Sequence, residues 1–140
     1  QDPPRRLLFS GALLFALGAL TGVLVSAVFT GKLSGNPTFM LAAHLNALLG
    51  CFWLIAIGTT WKHLNLSPTQ AGALMRTAIV AAYANWAVTV IKALLQVQGI
   101  DFVGEIRNDT IFGILTLTVV IPTFISSALW VLGLWKKEPS

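Results

Sequence analysis

Four long apolar segments, separated by polar or helix-breaking residues, make up most of the 140-residue chain. They cover residues 7–30, 39–61, 71–95 and 111–135. Each is long enough to cross about 30 Å of hydrocarbon as an α-helix. Ser67 before Pro68 is typical of a helix N-cap followed by proline at the first helical position. The pattern predicts one domain: an all-α, integral membrane four-helix bundle.

Composition and charge agree with a membrane protein and indicate its orientation. Only 10% of the residues are charged and 56% are apolar, whereas soluble domains carry about 25% charged residues. The basic residues lie at the ends of the spans, which argues against a nucleic-acid site despite the net charge of +4. The positive-inside rule places both termini in the cytoplasm, and we expect a bacterial inner membrane. The basic residues on that side are Arg5, Arg6, Lys62, Arg76, Lys136 and Lys137.

Polar side chains within the second and third spans fall at similar depths. Helical rise places His44 about 7 Å below the outer end of the second span, with Asn46 a little deeper. On the third span, Asn85 and Thr89 share one face and lie roughly 9 to 15 Å from the same side. Amide and imidazole groups in hydrocarbon need partners. The spacing therefore predicts a polar layer in the outer half of the bilayer.

Several interpretations of these residues stay open at this point. His44 is either hydrogen-bonded to a neighbouring helix or a metal ligand. Tyr83 and Trp86 either pack or line a pocket. The spans contain no second histidine and no pair of carboxylates. They therefore lack the residues for a bis-histidine haem site or for a pair of carboxylates in acid–base catalysis. One imidazole with amide, hydroxyl and aromatic groups suits a five-coordinate haem whose open face takes a neutral, apolar substrate.

Two further functions compete with this one. A small transporter of hydrophobic cations fits the size of the chain, but the acid that such proteins place within a span is missing. The other is a non-catalytic membrane protein, such as an assembly partner.

Two other features bear on helix packing. Gly18 and Gly22 form a GxxxG pair on the first span, which lets another helix approach closely. The pair favours packing within the chain, with a subunit contact as the alternative. In the fourth span, Pro122 removes a donor to the carbonyl of Thr118, so we expect a bend there.

Short motifs in the middle of the chain resemble a known family. They are Ala43-His44-Leu45, Gly58 through Trp61, Leu66-Ser67 and Tyr83-Ala84-Asn85-Trp86. They resemble the hydroxylaminobenzene mutase family of small four-helix membrane proteins, which looks related to styrene oxide isomerase. The similarity covers mainly Leu41 to Leu95.

The resemblance implies a haem-dependent isomerase in the bilayer, acting on a small aromatic substrate. It implies a homotrimer with haem b near subunit boundaries, His44 as the axial ligand of the iron, and ferric iron acting as a Lewis acid. The expected reaction is the rearrangement of an arylhydroxylamine to an aminophenol. The alternative is the rearrangement of an epoxide to an aldehyde. Asn46, Asn85 and Thr89 would orient the oxygen, and Tyr83 and Trp86 would line the aromatic pocket or the haem edge.

The chain departs from the family pattern at two positions. The relatives carry Asn-Gly six and seven residues after the histidine, where this chain has Gly50 and Cys51. Asn46 lies one turn before Gly50 on the same helical face, so its amide can reach the space that Gly50 vacates. Thr89 stands where styrene oxide isomerase has a tyrosine. The exact substrate therefore stays open.

Overall fold

The computed structural model describes residues 2–135, which form five α-helices along the chain. The helices are α1 (Pro3–Phe29), α2 (Pro37–Thr60), α3 (Pro68–Leu95), α4 (Ile106–Leu115) and α5 (Ile121–Trp135). A 3₁₀ turn, Trp61–His63, extends α2, and a π-helical turn, Thr116–Val120, joins α4 to α5 into one continuous fourth span. Four helical segments in this range are long and apolar enough to cross a bilayer. The chain is an all-helical integral membrane protein.

The two central helices bury the most surface. α2 packs against both α1 and α3, and α3 packs against the fourth span. In α2 and α3, 39% of the most apolar stretch is buried, against 6% in the fourth span. The fourth span is therefore the least buried of the four, and most of its side chains are partly or fully exposed.

A seam of glycines brings α1 close to α2. A Cβ added at Gly11 would lie 2.9 Å from Cγ1 of Ile55, and one at Gly18 would lie 2.9 Å from Cβ of Ala47. A Cβ at Gly22 would lie 3.3 Å from the His44 ring. The GxxxG pair is therefore used within the chain, which confirms the first of its two interpretations. The close approach has a functional consequence, because it brings the α1 backbone to His44.

Two helices begin well before the predicted spans do. α1 begins at Pro3, before the predicted start at residue 7, because proline is tolerated in the first helical turn. The fourth span begins at Ile106, before the predicted start at residue 111. Asn108 accepts from the backbone N–H of Gly99 at 2.7 Å, and Asp109 accepts from that of Val103 at 2.9 Å. These bonds tie the loop to the first turn of α4.

The remaining predictions about helix ends hold in part. The Ser67 N-cap is confirmed: its hydroxyl accepts from the Gln70 backbone N–H, and the Gln70 side chain accepts from the Ser67 backbone N–H. A π-helical turn, Thr116–Val120, lies just before Pro122, and the bend expected there stays a prediction. Lys136 and Lys137, used above to orient the chain, lie outside the described residues.

Candidate functional site

The imidazole of His44 is fixed by the backbone of α1. Its Nδ1 lies 2.7 Å from the carbonyl oxygen of Gly18. A carbonyl can only accept, so Nδ1 carries the hydrogen and Nε2 keeps its lone pair. Gly22, one turn further along α1, leaves room for the ring, since a Cβ there would lie 3.4 Å from Nδ1.

No residue in the range 2–135 is hydrogen-bonded to Nε2 of His44. The side chain is only partly buried, and no fully buried side-chain nitrogen or oxygen in this range lacks a partner. Nε2 is therefore an accessible, oriented lone pair. A histidine held through one nitrogen by a backbone carbonyl, with the other nitrogen free, is the usual arrangement of a metal-ligating imidazole.

A second polar group joins α2 to α3. The amide nitrogen of Asn46 donates to Oδ1 of Asn85 at 3.3 Å and to the hydroxyl of Thr89 at 3.1 Å. The Thr89 hydroxyl in turn donates to the backbone carbonyl of Asn85 at 2.6 Å. These three residues share one depth, as predicted from helical rise. Thr89 is buried, and its hydroxyl links the Asn46 amide to the backbone of α3.

A cleft of about 220 Å³ opens beside these amides, between α2, α3 and the π-helical turn. Its polar lining comes from Asn46, Asn85 and Thr123. Gly50 lies in its wall, where a Cβ would come within 3.0 Å of Leu14 and 3.3 Å of Ala82. The rest of the lining is Leu49, Trp53, Ala81, Ala82 and Val119. The cleft is thus a mainly apolar space with two amides at one side.

The imidazole and the cleft lie on opposite sides of α2. Residues two apart on a helix point about 200° from each other, and here His44 contacts α1 while Asn46 contacts α3. The structure therefore brings Asn46, Asn85 and Thr89 together, but it does not bring His44 to them within one chain.

The two predicted aromatic pocket residues also face α1. The Tyr83 hydroxyl donates to the carbonyl of Ser10 at 2.8 Å. The indole N–H of Trp86 donates to the hydroxyl of Thr21 at 2.9 Å. Neither lines the cleft. Trp86 therefore contacts the same helix as His44, and its expected place at a haem edge stays a prediction.

Several groups at these sites were not predicted from the sequence. The Gly18 carbonyl was not identified as the partner of His44, although its GxxxG pair marked a close approach of two helices. Trp53, Val119 and Thr123 line the cleft without any polar pattern to single them out. Pro122 was the one signal for the π-helical turn beside it, and such turns occur often at functional sites.

Comparison with known proteins places the chain in a family. The profile of the styrene oxide isomerase family matches residues 4–136. Hydroxylaminobenzene mutase HabB of Ectopseudomonas oleovorans is 37% identical over 87 residues, which is 62% of this chain and 49% of HabB.

Hydroxylaminobenzene mutase HabA of the same organism is 36% identical over 77 residues, covering 55% of this chain and 53% of HabA. The chain thus spans about half the length of these curated relatives. No solved structure matches significantly. The resemblance drawn from the short motifs is confirmed, and the chain belongs to the styrene oxide isomerase family.

Proposed function

We propose that this protein is a membrane isomerase that rearranges an arylhydroxylamine to an aminophenol with haem b held by His44. The observation that carries the proposal is the hydrogen bond from Nδ1 of His44 to the Gly18 carbonyl. It fixes the tautomer in which Nε2 can bind iron, inside a helix bundle where a bare imidazole would be costly. The two mutases to which the chain is similar give the reaction class.

Haem b fits the residues present at His44. The ring is oriented, its free nitrogen is accessible, and the cleft behind α2 is too small for a porphyrin, at about 220 Å³ against the roughly 300 to 1,000 Å³ of pockets for drug-sized ligands. The haem therefore belongs on the His44 side. When bound, it would supply a Lewis-acidic ferric iron.

The separation of His44 from the cleft favours a site completed by two subunits. One chain would present the imidazole, and the cleft of its neighbour would present the amides. A closed ring of identical subunits produces such a contact at every boundary, which agrees with the homotrimer that we propose. The sparsely packed fourth span offers surface for it. We place both termini on the cytoplasmic side of a bacterial inner membrane.

The two amides present complementary groups to a substrate in the cleft. Asn46 uses its nitrogen on Asn85 and Thr89, so its Oδ1 remains free to accept. Asn85 uses its Oδ1, so its amide N–H groups remain free to donate. An arylhydroxylamine carries N–H and O–H donors next to its oxygen acceptor. Asn85 can therefore donate to the departing oxygen while Asn46 accepts from the substrate nitrogen.

The apolar walls of the cleft set the size of the substrate and leave little room for water. Cavities of about 150 Å³ lined by apolar residues accept benzene, so the present volume of about 220 Å³ admits one substituted ring. Few waters fit beside such a ring. Where the ring displaces water from the two amides, their hydrogen bonds are stronger than they would be in water, and they hold the ring in one orientation while the oxygen moves.

The runner-up is an epoxide-to-aldehyde rearrangement, which the family's name favours. An epoxide offers only an acceptor, so Asn85 would serve it and the free oxygen of Asn46 would have no partner. The arylhydroxylamine uses both amides, which is why we prefer it.

Turnover by the purified, haem-supplied protein tests the proposal. We expect it to convert phenylhydroxylamine to aminophenol without added oxidant or reductant, because the reaction is an isomerisation. Asn85→Leu should lower kcat about a hundredfold, as loss of one well-placed donor does, and should keep the haem. Thr59→Val is the control, since that exposed hydroxyl bonds only within its own helix. Turnover of styrene oxide alone would favour the runner-up, and a colourless, inactive protein would contradict both reactions.

The space at Gly22 gives a second, independent prediction about the ligand. Gly22→Val would push side-chain carbons against the His44 ring, which already lies 3.3 Å from a Cβ at this position. Disturbing the support of a metal-ligating histidine weakens metal binding about ten- to a hundredfold, and we expect that loss in a haem titration. Gly113→Val is the control, because nothing lies within 4 Å of its Cβ position. Equal haem affinity in both variants would contradict the placement.

A further inference from the structure

A second cavity lies between α1 and α3, at the end of the bundle where both helices begin. Its volume is about 410 Å³, and its lining shares no residue with the cleft. The lining consists of Arg6, Phe9, Ser10, Met75, Arg76, Ile79 and Val80. We call this cavity the arginine groove. Four of its seven lining residues are apolar, and both of its charged residues are cations.

The position of Arg76 calls for an anion. It lies eight residues into α3, about 12 Å from the start of the helix, in a segment long and apolar enough to cross a membrane. Its Nε donates to the Gly72 carbonyl at 3.1 Å, which leaves the terminal guanidinium N–H groups for another partner. Among residues 2–135, neither Arg6 nor Arg76 forms an ion pair. The Arg76 side chain is exposed near the end of the span that we place on the cytoplasmic side, where basic residues meet anionic headgroups.

The apolar part of the groove is open to lipid. Phe9 is 66% exposed and Val80 is 49% exposed, although both border a cavity that also holds two guanidinium groups. A small free anion would satisfy the cations and leave these side chains uncovered. An apolar molecule would cover them and leave the cations unpaired. An anionic lipid meets both requirements, because it carries a negative headgroup and a hydrocarbon chain together.

We propose that the arginine groove is a binding site for an anionic phospholipid. The phosphate accepts hydrogen bonds from Arg6 and Arg76, because guanidinium groups form paired bonds to phosphate oxygens. One acyl chain lies along Phe9, Met75, Ile79 and Val80. Basic pockets between membrane helices bind anionic headgroups in this way. The site is independent of the proposed reaction, since it lies on α1 and α3 and outside the cleft.

Native mass spectrometry of the full chain in detergent tests this site. The protein is stripped of lipid, and phosphatidylglycerol or phosphatidylcholine with the same acyl chains is added back. We expect phosphatidylglycerol to remain bound at activation energies that release phosphatidylcholine. Arg76→Gln should weaken phosphatidylglycerol binding about tenfold, because a hydrogen bond to a charged group is lost. Equal retention of both lipids by the unmodified protein would overturn the proposal.

Two further variants separate the groove from general attraction to charge. Arg5→Gln removes the neighbouring exposed charge, which does not line the groove, and should leave binding unchanged. Val80→Trp keeps both arginines and fills the apolar part, so it should also weaken phosphatidylglycerol binding. An equal loss in Arg5→Gln, or no loss in Val80→Trp, would overturn the site.

The same measurements address the other occupants. Inorganic phosphate should not compete with phosphatidylglycerol at equal concentration, because it gains nothing from the apolar wall; equal competition would reduce the site to anion binding and overturn the lipid. A second copy of the chain would instead make Arg76→Gln change the mass of the oligomer, and that result would also overturn the proposal.

Discussion

Replacement of His44 with alanine is expected to give a purified protein without haem and without measurable isomerisation. Nε2 of this residue is an accessible, oriented imidazole nitrogen, and the methyl group of alanine cannot bind iron in its place. Loss of a Lewis acid removes several kcal/mol of charge stabilisation, so turnover should fall about a thousandfold or more. Absorption in the Soret region and the rate of aminophenol formation measure the two effects.

His63→Ala is the matched control for this prediction. His63 is the second histidine of the chain, and it lies in the exposed 3₁₀ turn that follows α2. This variant should keep both haem and turnover. Full haem content in His44→Ala would show that the ligand has been assigned to the wrong residue. Equal losses in both variants would show that neither imidazole is specific.

Mixing two inactive variants should restore activity if each site is shared between neighbouring subunits. His44→Ala retains an intact cleft, and Asn85→Leu retains an intact ligand. In a ring of three subunits containing both variants, one boundary in three joins an intact imidazole to an intact cleft. Co-expressed chains with different tags, purified through both tags, should therefore show about one third of the wild-type rate.

The mixed oligomer distinguishes a shared site from one built within a single chain. A site within one chain would give no recovery, since every subunit in the mixture lacks one component. Differently tagged His44→Ala chains, purified in the same way, provide the background rate. Activity at that background, in oligomers shown to contain both variants, would contradict the shared site.

The sequence predicted the fold and part of the site because both depend on simple periodicities. Hydrocarbon thickness sets the length of a span, so four apolar runs located four helices with errors confined to their ends. Helical rise placed Asn46 at the depth of Asn85 and Thr89, and the structure joins them by hydrogen bonds. The depth of a residue in the membrane follows from its position along its helix, so it can be calculated from the sequence alone.

The sequence did not show which neighbouring helix packs against each side of α2. The two-residue spacing of His44 and Asn46 separates them around the helix, yet equal depth suggested one shared site. Which helix occupies each side depends on packing, and in this chain the glycines of α1 decide it. The π-helical turn beside the cleft was likewise not predicted. Pro122 was its only signal in the sequence, and the effect of a proline on backbone geometry depends on its neighbours.

A cryo-electron microscopy map of the haem-loaded oligomer tests the central claim most directly. We predict density for iron bonded to Nε2 of His44, with Nδ1 still donating to the Gly18 carbonyl and the amide cleft of a neighbouring subunit facing the open side of the porphyrin. A map in which this imidazole contacts only Gly18 and lipid, or in which iron is bonded to another residue, would contradict it.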